Sequence, residues 1–156
     1  MSAAITYRTA IHEDWVDYNG HLRDAYYLLI FSYATDALME RIGLDADSRG
    51  QNGHSLFTLE AHVNYLHEVK LGAQVWVQTH LVEFDHKRLL VYHTLHREGF
   101  DETLAASEQM LLHVDLAGPK SAPFGERSLQ ALRALAEQQP EQAALQWRAR
   151  ALSLSR

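Results

Sequence analysis

Residues 25–42 are helical in pattern, and over residues 25–31 that helix is apolar on every side. A helix lying on a surface carries one apolar stripe, whereas one that is apolar all round belongs inside. The first half is therefore expected to be buried all round. The second half carries Asp36, Glu40 and Arg41 and is expected to emerge toward water. Asp24 suits the N-cap, because its carboxylate can accept from the free amides of the next turn. Gly43 suits the position just past the last turn. A single helix of this kind needs a sheet that curls around it.

The rest of the chain supplies strands for that sheet. Residues 4–12 alternate Ile5, Tyr7, Thr9 and Ile11 against other positions, the period of a strand. Residues 56–67 set Phe57, Leu59, Ala61, Val63 and Tyr65 against Thr58, Glu60, His62 and Asn64. Residues 74–83, 88–98 and 103–115 keep the same period. The breaks between them, at Gly72, "EFDHKR" and "EGFDE", are short, which predicts an antiparallel meander. Residues 44–55 read as a loop. Residues 126–138 are helical in pattern, and Pro140 permits a second short helix to about residue 152.

The expected class is α+β: an antiparallel five-stranded sheet wrapped around one long buried helix, plus a C-terminal helix. Residues 1–125 form the domain, and 126–156 a C-terminal helical extension packed on it. An open sheet edge predicts a homodimer and leaves open the pairing of dimers into a tetramer.

Composition excludes several functions. None of the 156 residues is cysteine, which removes disulfides, thiolate metal sites and a cysteine nucleophile. The start, MSAAITYRTA, has no basic and apolar leader pattern. The apolar run 25–31 is far short of the ~20 residues a bilayer needs. A cytoplasmic protein without membrane contact is expected. A net charge of −6 with no Lys/Arg cluster argues against nucleic acid. The ten histidines are scattered, and neither His93/His96 nor His62/His67 has the HExxH spacing, so no metal is expected.

The stretch "WVDYNGHLRDAYY" leads into the helix. Asp, Asn and Gly are ordinary turn residues, and on composition alone a turn suffices. Yet Asp17 stands just ahead of a helix N-terminus, which offers unpaired amides and the positive end of the macrodipole. Such amides can hold a developing oxyanion while a carboxylate attacks or activates water.

A strand, a buried helix and four strands, with D-x-N-x-H-x-x-D at the helix entrance, resemble the hotdog-fold acyl-CoA thioesterases. Asp17, three residues before Gly20, matches the catalytic aspartate of the hydroxybenzoyl-CoA type, and Asn19 and His21 match the N-x-H of the acyl-carrier-protein type. Arg23 and Asp24 stand where that second type has an asparagine pair. "WVDYNGH", "HSLFTLEAH", "DHKR", "HTLH" and "EQMLLHVD" resemble, more narrowly, the betainyl-CoA thioesterases linked to L-carnitine degradation. The resemblance implies thioester hydrolysis with no cofactor, an acyl-CoA substrate, and Asp17 as nucleophile or general base. Asn19 and His21 then orient Asp17 or hold the turn, and an amide near Asp24 or Ala25 is the oxyanion donor.

A trimethylammonium group is held best by aromatic faces and carboxylates. Trp15, Tyr18, Tyr26, Tyr27 and Tyr65 are the aromatic candidates, each equally suited to core or interface packing, and Glu60 and His62 share one strand face. Arg23, Lys87 and Arg88 are candidates for the CoA phosphates, and Gln109 and His113 are either packed or substrate-lining. The alternatives are a thioesterase for another short or aromatic acyl-CoA, or a non-catalytic hotdog protein that binds acyl-CoA.

Overall fold

A computed structural model describes residues 3–140 and 145–154. The chain runs β1 (Ala4–Ala10), α1 (Asp24–Arg41), α2 (Ala46–Asn52), β2 (His54–Tyr65), β3 (Gln74–Phe84), β4 (Arg88–Arg97), β5 (Ala105–Asp115), β6 (Lys120–Ser121) and α3 (Glu126–Gln138). One antiparallel sheet wraps α1, the expected α+β arrangement, with strand order β1-β3-β4-β5-β2 and the two-residue β6 added beside β5.

That order corrects the meander. β2 pairs with β5 at the far edge and not with β3. Residues 66–73 between them are a crossover past the entrance of α1. The Leu22 amide donates to the Val69 carbonyl (2.9 Å), the Leu71 amide to the Gly20 carbonyl (2.9 Å), and His21 bridges to Lys70. Breaks of this length cannot distinguish a neighbouring strand from one reached across a helix end.

α1 buries Tyr27, Ile30, Phe31, Ala34, Thr35, Leu38 and Met39, spaced as one helical face. The expectation of burial all round fails within one chain: Leu28 is 40% exposed and Tyr33 38%. The side of the helix away from the core is only partly covered in the single chain: Tyr33 meets the Tyr7 ring of β1 at 5.5 Å and still stays exposed, as does Leu28. Asp24 is the first helical residue and not the N-cap. Arg23 takes the cap position, and the Asp24 carboxylate accepts from the Ala25 amide at 2.9 Å. Gly43 has φ +81° just past the helix end, where glycine avoids the strain a side chain would bring.

Three further corrections concern elements. The expected loop 44–55 contains α2, capped by Asp45, whose carboxylate accepts from the Ser48 amide at 2.8 Å. A bulge at Leu59 shifts the β2 register between Thr58 and Glu60. Phe57 therefore faces away from α1, whereas Ala61, Val63 and Tyr65 face toward it. Among residues 145–152 there is no helix, and 141–144 lie outside the described residues.

The inner sheet face carries a polar chain. Thr35 Oγ1 of α1 lies 2.9 Å from His93 Nε2 and 3.0 Å from Gln109 Oε1. His93 Nδ1 meets Thr79 Oγ1 at 2.8 Å, and Thr79 meets Thr6 at 2.8 Å. Full burial pushes His93 down to about 3, so it is neutral in the fold. Gln109 and His113 are both packed: His113 is fully buried, with Nδ1 2.7 Å from the Ala122 carbonyl. α3 lies against the second half of α1 and the sheet, burying Leu132, with Ser128 Oγ donating to the Ile42 carbonyl at 2.6 Å. Among the described residues no helix is long and apolar enough to cross a membrane.

Candidate active site

The chain folds back on itself between β1 and α1. Val16 bridges to Leu22, the Asp17 amide donates to the His21 carbonyl (2.9 Å), and the Arg23 amide donates to the Trp15 carbonyl (3.0 Å). At the tip, the Gly20 amide closes a turn onto the Asp17 carbonyl at 2.9 Å, and Gly20 supplies the positive φ of +77°. This wraps the backbone around the Asp17 carboxylate. Oδ1 accepts from the amides of Asn19 (2.9 Å) and His21 (3.1 Å). Among the described residues Oδ2 has no partner.

The His21 amide, the Asn19 amide and the charges of His21 and Arg23 together outweigh partial desolvation and hold Asp17 below its ordinary 3.8. Asp17 is therefore ionised at neutral pH, with one oxygen fixed and the other available.

Where the turn enters α1 there is an open cleft of about 280 Å3, lined by Leu22, Asp24, Tyr27, Tyr65, Leu66, His67 and Glu68. Tyr65 Oη donates to the Asp24 carbonyl (3.2 Å), Tyr27 Oη donates to the His67 carbonyl (3.0 Å), and the two rings meet edge to face at 5.1 Å. Burial first, then the charge of Glu68 and the neighbouring Tyr65, raise Tyr27 to about 12, so its hydroxyl stays protonated. The Ala25 amide is taken by the Asp24 carboxylate. The Asp24 amide has no partner among the described residues and is the free donor at the positive end of α1. Two residues tie the turn to the cleft: Leu22, which lines it, and His21, whose Nε2 lies 3.3 Å from Glu68 Oε2.

The sequence candidates divide accordingly. Asp17, His21, Asp24, Tyr27 and Tyr65 come together at the turn and cleft. Asn19 serves the turn through its backbone, and Arg23 is exposed beside it. Trp15 stacks on Tyr26 with ring centres 6.3 Å apart and packs against the core, so this pair is structural within one chain. Tyr18 is 93% exposed at the turn tip and encloses nothing. Glu60 and His62 pair with Met110 and Glu108, on the sheet face turned away from α1, and so stand outside the cleft.

Lys87 and Arg88 sit at the β3–β4 hairpin, where Arg88 is ion-paired to Asp85 at 2.6 Å. The turn is tied through Leu71 to the crossover that leads into the opposite end of β3, roughly 30 Å along the strand. In one chain they do not belong to this site. Among the described residues no group of His, Asp or Glu could hold a metal ion. A tighter cavity of about 130 Å3 lies between β1, the end of α1 and α3, and no carboxylate lines it.

Sequence reasoning missed Leu66, His67 and Glu68. Leu66 and His67 are expected at the end of the strand 56–67 and Glu68 in the break after it, but β2 ends at Tyr65, so all three lie in the crossover and only the strand order brings them to the helix entrance. His67 Nε2 lies 2.6 Å from Glu102 Oε2.

The pattern of the thioesterase-like superfamily matches residues 11–132. A betainyl-CoA thioesterase of Pseudomonas aeruginosa is 61% identical over 132 residues, 85% of this chain and 83% of that protein. An L-carnitine dehydrogenase/betainyl-CoA thioesterase of Agrobacterium fabrum is 44% identical over 122 residues. That match takes in 78% of this chain but only 25% of the longer protein. A crystal structure of a candidate thioesterase from Pseudomonas putida KT2440 superposes with a TM-score of 0.89 at 68% identity, covering 99% of this chain and 98% of that one.

Proposed function

The chain belongs to the thioesterase-like superfamily, and from that membership we propose that it hydrolyses betainyl-CoA to betaine and coenzyme A. The observation that carries this reading is Asp17. It is an ionised carboxylate with one oxygen fixed by two turn amides and the other free, in the turn that leads into α1. The kinship with the P. aeruginosa enzyme supports the acyl group, and the fused dehydrogenase relative supports a role in L-carnitine breakdown.

The chemistry follows from the arrangement. The thioester oxygen accepts from the Asp24 amide, where the helix dipole favours the negative charge it gains. Asp17 Oδ2 takes a proton from a water whose oxygen bonds to the carbonyl carbon. The C–S bond then breaks, the sulfur leaves with its electron pair, and the proton held by Asp17 goes to the thiolate. Water is the only co-reactant, so this reading calls for no cofactor. A cytoplasmic setting suits a coenzyme A thioester.

A homodimer belongs to the same reading. β2 is a free edge carrying Leu59 (57% exposed) and Phe57, and a second copy would cover them together with the exposed Leu28 of α1. Thiol release from a panel of acyl-CoAs tests the proposal. Betainyl-CoA is expected to have the highest kcat/KM of the panel, and an aromatic or straight-chain acyl-CoA turned over faster would overturn the substrate.

A further inference from the structure

We infer that Glu68 is the carboxylate that selects the cationic acyl group, a role that rests on the betainyl-CoA reading above. In betainyl-CoA the quaternary nitrogen is two bonds from the thioester carbon, so roughly 2.5 Å away. Wherever the carbonyl binds, the cation must lie against the same wall. With the carbonyl oxygen on the Asp24 amide, the cation falls in the cleft lined by Tyr27, Tyr65, Asp24 and Glu68.

The carboxylates near this cleft are not equivalent. The Asp24 carboxylate is engaged through Oδ1 by the Ala25 amide at 2.9 Å, and after burial its charge is what raises the Tyr65 hydroxyl. Glu102, beyond the cleft wall, is held by His67 at 2.6 Å. Glu68 makes only the looser 3.3 Å contact with His21 through Oε2, and Oε1 has no partner among the described residues. Its charge reaches the interior of the cleft, because it contributes to the upward shift of the buried Tyr27 hydroxyl.

A carboxylate beside an acyl pocket opposes the oxyanion that forms there. For a neutral acyl group that is a defect. For a trimethylammonium group it is a counter-charge, one that adds to the aromatic wall of Tyr65 and offsets the desolvation of the cation. A quaternary ammonium has no N–H to donate, so an open carboxylate with a loose partner suits it better than one locked in a short hydrogen bond.

The test compares betainyl-CoA with 3,3-dimethylbutanoyl-CoA, which has the same shape with carbon in place of the quaternary nitrogen. The ratio of their kcat/KM values is measured for the wild type, Glu68→Gln and Glu68→Asp. Glu68 is 77% exposed, so Glu68→Gln leaves the core untouched. The ratio is expected to fall by about ten-fold or more in Glu68→Gln, with part of it restored in Glu68→Asp. A wild-type preference that survives Glu68→Gln unchanged overturns the role of Glu68 alone. A wild type with no preference overturns both this role and the substrate reading.

Discussion

Replacing Asp17 by asparagine separates its structural work from its chemical work. The side-chain oxygen of asparagine can still accept from the amides of Asn19 and His21, the two contacts that Oδ1 makes at 2.9 and 3.1 Å. The bridge between Val16 and Leu22 and the closure of Gly20 onto the Asp17 carbonyl are backbone contacts and are unaffected. Asp17→Asn is therefore expected to keep its circular dichroism spectrum and to melt within a few degrees of the wild type. The group that replaces Oδ2 is an amide nitrogen, which takes no proton from water. A general base accounts for about 10²–10⁴-fold in rate, so kcat for betainyl-CoA should fall by at least about a hundred-fold.

The assay is thiol release followed with a chromogenic thiol reagent, at saturating substrate and again at low substrate. The loss should lie in kcat, because an interaction made mainly in the transition state is removed. A folded Asp17→Asn protein that keeps more than about a tenth of wild-type turnover refutes the role of Asp17.

Other outcomes follow from the same structure. Asp17 is held below 3.8, so the wild-type kcat/KM should show no acid limb at the ordinary carboxylate value for as long as the protein stays folded. His93 titrates at about 3 in the fold against 6.5 ordinarily, so between those values the unfolded chain binds a proton that the folded chain does not. Stability should fall as pH drops below 6.5, by up to ~1.4 kcal/mol per pH unit from this residue. Denaturant titrations should give His93→Gln a shallower dependence between pH 6.5 and 5, and an unchanged slope would assign the acid sensitivity elsewhere. Light scattering at micromolar concentration should return at least twice the mass of one chain, and a monomer would contradict the pairing of exposed β2 edges.

Much of this fold was legible because the chain obeys its periods. α1, α3 and all five of the long strands begin and end within a few residues of where apolar spacing puts them. What escaped depends on long-range choices. Whether β2 pairs with β3 or reaches β5 is decided by the crossover and the curl of the sheet, and nothing in "LHEVKLG" announces it. The Leu59 bulge reverses the faces of β2 midway, which is why an unbroken alternation put Phe57 with Val63. α2 is polar on most sides and is held by one Asp45 cap, so it has no apolar stripe to read. Leu28 and Tyr33 look like core residues in sequence but lie exposed in the single chain.

The candidate site divides the same way. Asp17, Gly20 and Asp24 are adjacent along the chain, so the turn and the helix start could be read together. Glu68 lies far along the chain and reaches the helix entrance only through the 66–73 crossover, whereas Lys87 and Arg88, equally plausible by charge, are carried to the other end of β3.

The most direct test of the assignment is a crystal structure of the Asp17→Asn variant grown with betainyl-CoA. The thioester oxygen is expected at about 3 Å from the Asp24 amide, with the substituted side chain facing the carbonyl carbon and the trimethylammonium group between Tyr65 and Glu68. An intact thioester bound away from the entrance of α1, or seated there with its carbonyl turned from the Asp24 amide, would contradict it.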